Sequence, residues 1–306
     1  MADLSVRDWH LDAALTNFSR GYRNAGYIAD SLFPILSVLK ESDKYWIWGI
    51  EAYRRLLALR ADKAASKEVG LGLTSATYSA EAYALKARLS DRERANQDDQ
   101  MNLERRKIEN VTDLILLDRE IRAYTAATSG TTFSGKTANV SPNWDAGSSD
   151  PVKDVLTAKA ALRANSLGMA ANLMILPPAV WEALQANAAL ITRFQYTGDG
   201  MITLDLLKRV FGIPNILIPG AMQNTAEEGA SDTVVDIWGE TVGLYYVNPS
   251  PGLETRTMGL TFRQKNLEVG TWRDNDTKCD VYEPELIEDI KVVDAGCGYL
   301  LTDTLT

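Results

Sequence analysis

Between Tyr45 and Leu89 the chain reads as one very long β-hairpin with no core of its own, leading into a charged helix that starts near Ser90. The outward strand is Tyr45-Trp46-Ile47-Trp48-Gly49-Ile50. The return strand alternates Tyr83, Leu85, Ala87 and Leu89 with Ala84, Lys86 and Arg88, the period-2 pattern of a ribbon with two faces. An isolated two-stranded hairpin is marginal in water, and a ribbon carrying tryptophans and tyrosines needs a cover. If nothing within the chain is left over to cover it, the partner is another copy. The expectation is a shell or array subunit with Trp46 and Trp48 at contacts between copies.

Composition narrows the field. With 306 residues the chain buries a substantial core, as two subdomains or one elongated one. No apolar run reaches the length of a membrane span, and the first residues, Met-Ala-Asp-Leu-Ser, lack the basic and apolar regions of a signal peptide. A cytoplasm-like compartment is therefore expected, and Cys279 and Cys297 read as free thiols in it. A net charge of -9 argues against sequence-independent gripping of nucleic acid, which needs clustered cations.

Residues 1 to 44 read as an arm, with a short amphipathic stretch (Trp9, Leu11, Leu15, Phe18) followed by Gly21, Gly26 and Pro34 around an extended run from Tyr27 to Ile35. The hairpin tip, Tyr53 to Ser75, begins basic and loosens into Gly70-Leu71-Gly72. Ser90 is a helix N-cap with Asp91 and Glu93 suited to the helix dipole. No Gly or Pro intervenes from there to about Ala127, and Met101, Ile108, Val111, Ile115 and Ile121 recur at spacings of three, four and seven. Helical from Asp98 to Ala127, this spine spans about 45 Å at ~1.5 Å per residue.

Residues 129 to 151 form a polar loop. Beyond it come helix Val152 to Ala164, strand Ala171 to Leu176, helix Pro178 to Ala189, helix Leu204 to Phe211 ending at Gly212, and strand Asn215 to Ile218. The run Val234 to Val247 reads as strand broken at Gly239 or Gly243. The last part alternates strand segments (Leu260 to Arg263, Leu267 to Trp272, Thr277 to Val281, Asp289 to Val293) with turns and ends in Tyr299-Leu300-Leu301.

One motif matches a catalytic pattern letter for letter. Gly130-Thr131-Thr132-Phe133-Ser134-Gly135-Lys136-Thr137 fits the phosphate loop G-x-x-x-x-G-K-[ST], and Leu114 to Asp118 mimics the apolar run plus Asp that often holds its magnesium. A phosphate loop needs a strand before it and a helix after it. Here a helix precedes it and Pro142 stops any helix that follows. The single histidine, His10, lies in the arm, away from any catalytic core. Cys279 and Cys297 lack the close pairing of a zinc site. Asp274 to Asp294 holds eight acids against Lys278 and Lys291, net -6, and reads as a solvated face or a docking surface for cations rather than a glycosidase pair or calcium site. The hairpin tip offers such cations, with Arg54, Arg55, Arg60, Lys63 and Lys67 against two acids, net +3. Docking between copies is therefore expected to pair that tip with Glu283, Glu285 and Asp289.

The order of parts resembles the major capsid protein of tailed bacteriophages, a fold shared with encapsulins and the herpesvirus capsid floor. The residues that carry the likeness are Ser31-Leu32-Phe33-Pro34, Lys44-Tyr45, Thr77-Tyr78, Tyr83-Ala84-Leu85 and the run Asp113 to Glu120. They continue with Ile175-Leu176-Pro177 before a helix near Trp181, Phe211-Gly212-Ile213, Val292-Val293, and Gly298-Tyr299-Leu300. The resemblance implies an α+β capsid fold with N-arm 1–44, extended loop 45–89, a peripheral domain of 90–150 (spine included) plus 258–306, and an axial α/β domain 151–257. It implies self-assembly through pentamers and hexamers into an icosahedral head around double-stranded DNA, without sequence-specific DNA binding. Portal, scaffolding and decoration proteins are the implied further partners, with no membrane, cofactor, metal or catalytic residue. The implied location is the virion, assembled in the host cytoplasm. Because the arm begins almost at Met1, scaffolding is expected as a separate protein or the sequence as already mature. The alternatives are an encapsulin-like cargo shell and, from another class, a phosphate-loop nucleotide hydrolase.

Overall fold

The computed structural model describes residues 10–11, 26–48, 55, 58–60, 62, 64–66, 68, 70, 72–96, 102–194, 202–227, 229–250, 252 and 255–306. In chain order the first elements are β1 (His10–Leu11), α1 (Ala29–Leu32), β2 (Ile35–Ser37), β3 (Ser42–Trp48), β4 (Leu73–Ser79), β5 (Glu81–Ala84), β6 (Ala87–Ser90), α2 (Asp91–Ala95), α3 (Leu103–Thr128) and β7 (Thr137–Asn139). There follow α4 (Pro151–Asn165), β8 (Leu173–Ile175), α5 (Pro178–Ala186), α6 (Ala188–Phe194), α7 (Leu204–Phe211), β9 (Asn215–Leu217), β10 (Met222–Asn224), β11 (Val234–Asp236) and β12 (Val242–Tyr245). The chain closes with β13 (Gly259–Asp274), β14 (Cys279–Val292) and β15 (Gly298–Thr302).

Two sheets carry the architecture. In the first, β13 and β14 pair antiparallel over nearly their whole length; β5 and β6 add to β14, and β1 and β2 add to β13. Helix α3, about 39 Å long at ~1.5 Å per residue, lies along this sheet. Its Ile108 packs with Leu89, Val269 and Tyr282, and its Val111 and Ile115 with Leu267 and Leu286. The second sheet has the order β7-β15-β12-β8-β9. Its strands are buried between α4, α5 and α7 on one side and the end of α3 with the arm on the other. This sheet draws β7 and β15 from outside 151–257, so the first and last parts of the chain both reach into it.

Helix α7 runs from Leu204 to Phe211, as its amphipathic pattern indicates, and Gly212 ends it with φ of 59°, the left-handed conformation that glycine adopts without a Cβ penalty.

Several expectations need correction. The ribbon's return strand is β4, paired residue for residue from Ser42↔Ser79 to Trp48↔Leu73, and not Tyr83 to Leu89. That later segment forms β5 and β6, whose alternation serves pairing to β14 in the large sheet. The spine, expected as helix from Asp98 to Ala127, is α3 from Leu103 to Thr128; its expected start at Asp98 lies outside the described residues, and the helix at Ser90 is a separate one. Ser90 caps only the short α2, through a capping box with Glu93, and Asn102 caps α3 by accepting from Arg105 N–H at 3.0 Å. The helix expected from Pro178 to Ala189 divides at Asn187, whose Oδ1 accepts from the Ala189 and Leu190 amides and starts α6. The extended arm run contains α1. The four C-terminal strand segments are two long strands, with register shifts between Arg263 and Glu268 marking a bulge.

Candidate functional site

The arm is fastened to the spine by a buried carboxylate. Helix α1 has Ile28 at its N-cap with no side-chain cap, so its first amides need an acceptor from elsewhere. Glu120, fully buried on α3, supplies it. Ile28 N–H donates to both carboxylate oxygens at 3.1 Å, Ala29 N–H donates at 2.9 Å, and the Trp238 indole Nε1 donates at 2.8 Å. Burial pushes the Glu120 carboxyl above its ordinary pKa, and these donors pull in the opposite direction. One side chain thereby joins arm, spine and the segment before β12.

Beside it lies a charge cluster. Glu288 on β14 is fully buried and meets Arg119 Nε at 3.0 Å, Arg122 at 3.3 Å and Arg263 at 2.7 Å; Arg119 also reaches Asp30 of the arm at 2.7 Å. Burial works against the Arg119 cation, but Glu288 and Asp30 outweigh it and raise its pKa. The Arg122 guanidinium also stacks 3.6 Å over the Tyr83 ring. These residues escaped the sequence reading, although a signal was present. Arg119 continues the buried stripe Ile108, Thr112, Ile115, Ala123 at helical spacing, and a cation on a core stripe requires a buried anion.

Among the described residues, the ribbon is anchored at its base. Tyr78 stacks on Phe262 at 4.4 Å and Tyr45 tilts against it at 5.2 Å, so this chain itself covers both tyrosines. Further out, Trp46 remains 49% exposed and Leu59 85%. Trp48 lies on β3, and its side chain is outside the described residues. Of the tip cations, Arg55 and Arg60 are exposed, whereas Arg54, Lys63 and Lys67 lie outside the described residues.

The acidic stretch is not the free face that its composition suggests. Glu285 pairs with Lys265 at 2.6 Å, and Asp289 accepts from Ser79 N–H at 2.9 Å and lies 3.6 Å from Lys291. Asp280 meets Arg94 at 2.6 Å and Arg273 at 3.0 Å, and Asp294 meets Arg256 at 2.6 Å. Folding thus places a cation within 4.0 Å of five of the eight acids, and for Asp280, Glu285 and Glu288 it includes a cross-strand neighbour on β13. Glu283 is half-buried on the same strand.

The phosphate-loop look-alike follows α3 and delivers the chain into strand β7. Its amides are engaged within the loop: Phe133 N–H donates to Ser129 O at 3.0 Å, and Lys136 N–H to Phe133 O at 2.8 Å. Phe133 is fully buried and pins the loop to the core. Cys297 is also buried, which pushes its thiol up to about 12 and leaves it a poor nucleophile. Both cysteines are free, and among the described residues no helix is long and apolar enough to cross a membrane.

An arm clasped to a spine, a ribbon held at its base and a sheet-and-helix body make a subunit of the kind that closes viral capsid shells. No protein-family model matches the chain. It is 30% identical over 301 residues to the major capsid protein of Burkholderia phage BcepMu, covering 95% of this chain and 96% of that relative. The crystal structure of a phage-related protein from Bordetella bronchiseptica RB50 matches with a TM-score of 0.78 at 29% identity, over 96% of this chain and 97% of the other. A chain of the capsid of Cyanophage P-SCSP1u shares the fold, with a TM-score of 0.62 at 10% identity, over 92% of this chain and 89% of the other. The chain belongs to the phage major capsid protein family. It has the α+β fold of phage capsid proteins, its relatives are structural proteins of the virion, and its role is to form the capsid shell.

Proposed function

We propose that copies of this chain close, through pentamers and hexamers, into the icosahedral head of a tailed phage around double-stranded DNA, with no catalytic turnover. The observation that carries this reading is the ribbon, whose base is buried on Phe262 while Trp46 and Leu59 beyond it face solvent. Each such side chain stabilises by roughly 2 kcal/mol when a neighbour buries it, and the contact recurs around every subunit. Residues 1–44 serve as arm, 45–79 of the expected 45–89 as the loop over the neighbour, 80–150 with 258–306 as the peripheral domain, and 151–257, completed by β7 and β15, as the axial domain. Trp46, Trp48 and the tip cations Arg54, Arg55, Arg60, Lys63 and Lys67 are the side that reaches the next copy. Glu283, Glu285 and Asp289 receive them by exchanging intramolecular partners. Assembly takes place in the host cytoplasm, with portal, scaffolding and decoration proteins as further partners. The sequence relative is a phage capsid protein, which favours this reading over a cargo shell. Light scattering of the purified protein under assembly conditions tests it. Closed particles of many subunits are expected, and a persistent monomer or small ring would contradict it.

A further inference from the structure

We propose that the ribbon β10–β11 of one copy docks on the surface around Lys86 and Arg92 of the next copy, a contact distinct from that of the long ribbon β3–β4. The proposal rests on the shell-forming reading and names one of its contacts.

β10 and β11 make a two-stranded sheet of their own, paired Met222↔Asp236 and Asn224↔Val234, which puts Met222 and Val234 on one face together with Asn224 and Asp236. Met222 is 57% exposed and Val234 61%. A lone ribbon with two exposed apolar side chains is marginal unless something covers it. Residues 222–236 also carry four acids and no cation. Glu227 and Asp232 are exposed, and the Asp232 carboxylate accepts only a neutral donor, Asn224 Nδ2, at 2.8 Å.

The matching surface has the opposite charge. Lys86 just before β6, Arg88 within it and Arg92 in the first turn of α2 are exposed. The acids of that segment are already engaged, Asp91 with Arg273 at 2.5 Å and Glu93 with Lys107 at 2.8 Å. Among the described residues, Lys86, Arg88, Arg92, Glu227 and Asp232 form no ion pair within 4.0 Å, although Arg88 acts on the Asp274 carboxylate. The two surfaces thus carry exposed charge of opposite sign, and the ribbon adds exposed Met222 and Val234. The chain as a whole is acidic, at -9, which makes this cluster of free cations selective for an acidic partner such as another copy. Two different complementary patches on one subunit make a head-to-tail contact, the kind that closes rings when the rotation fits.

Charge reversal with rescue tests the pairing. Glu227→Lys with Asp232→Lys, and separately Lys86→Glu with Arg92→Glu, should each slow assembly on the order of tenfold at low salt, because steering between opposite charges is lost. The four changes combined should restore most of the rate. Circular dichroism of the unassembled variants checks that each subunit is folded. Reversed variants that assemble like the unaltered chain, or a combination slower than either pair, would overturn the pairing while leaving the shell reading intact. Rescue of the acidic-ribbon variant by Arg55→Glu with Arg60→Glu would assign that ribbon to the basic tip and overturn it too. An unaltered chain that forms no shell would overturn both readings.

Discussion

Glu120 and Glu288 show how two carboxylates in one region of the core differ. Glu120 faces amide and indole donors, and Glu288 faces three guanidiniums. The folded-state pKa of Glu120 is raised above its unfolded value by burial. Its contribution to stability is therefore fully present below the unfolded value, near 4.3, and is lost as pH rises through the raised one. Glu120→Gln keeps the volume but turns an NH2 toward donors, at a cost of ~1–3 kcal/mol. Urea unfolding across acid to neutral pH should show the stability gap between the two proteins narrowing as pH rises. A gap that widens would mean that the donors outweigh burial. Glu288→Ala leaves Arg119, Arg122 and Arg263 around an empty site and should cost ~3–5 kcal/mol, read as a lower urea midpoint. An unchanged midpoint would show that the cluster relaxes to solvent.

The elements show where sequence pattern suffices. α7 was legible from end to end because amphipathic spacing and a C-terminal glycine agree. The ribbon was legible as a ribbon, but its return strand was not. Tyr83 to Leu89 alternates more cleanly than Leu73 to Ser79, in which only Ala76 and Tyr78 keep the period, yet pairing with β14, some two hundred residues away, claims the later segment. The same distance hid the site. Arg119 and Glu288 are separated by 169 residues, so although the helical stripe marks Arg119 as a buried cation, nothing in the sequence says which anion meets it. Contacts between elements also explain a glycine. A Cβ at Gly259 would lie inside the van der Waals envelope of the Phe33 ring and 2.9 Å from Lys291 O. Gly259→Ala should therefore lift the arm from the start of β13, at a cost of ~1–3 kcal/mol. Limited proteolysis should then cut the segment 26–37 faster, and an unchanged rate would show that the Phe33 contact is dispensable.

At the scale of the whole molecule, the subunit pairs most of its β14 acids internally and leaves exposed apolar side chains on two ribbons, among other places. The general function was legible because the order of arm, ribbon, spine and sheet-and-helix body can be read along the sequence. The internal pairing of the β14 acids was not, since composition reports charge but not which charges the fold has already paired. Surface pairs are individually weak and are screened beyond ~8 Å at physiological salt, so aromatic burial under the long ribbon has to supply most of the cohesion. Electron cryomicroscopy of the assembled particle tests that claim most directly. The account predicts a closed shell in which the outer part of β3–β4 lies on a neighbouring subunit with Trp46 buried, while Ile28 and Ala29 stay on Glu120 of their own chain. A closed shell with that ribbon free in solvent and Trp46 exposed would contradict it.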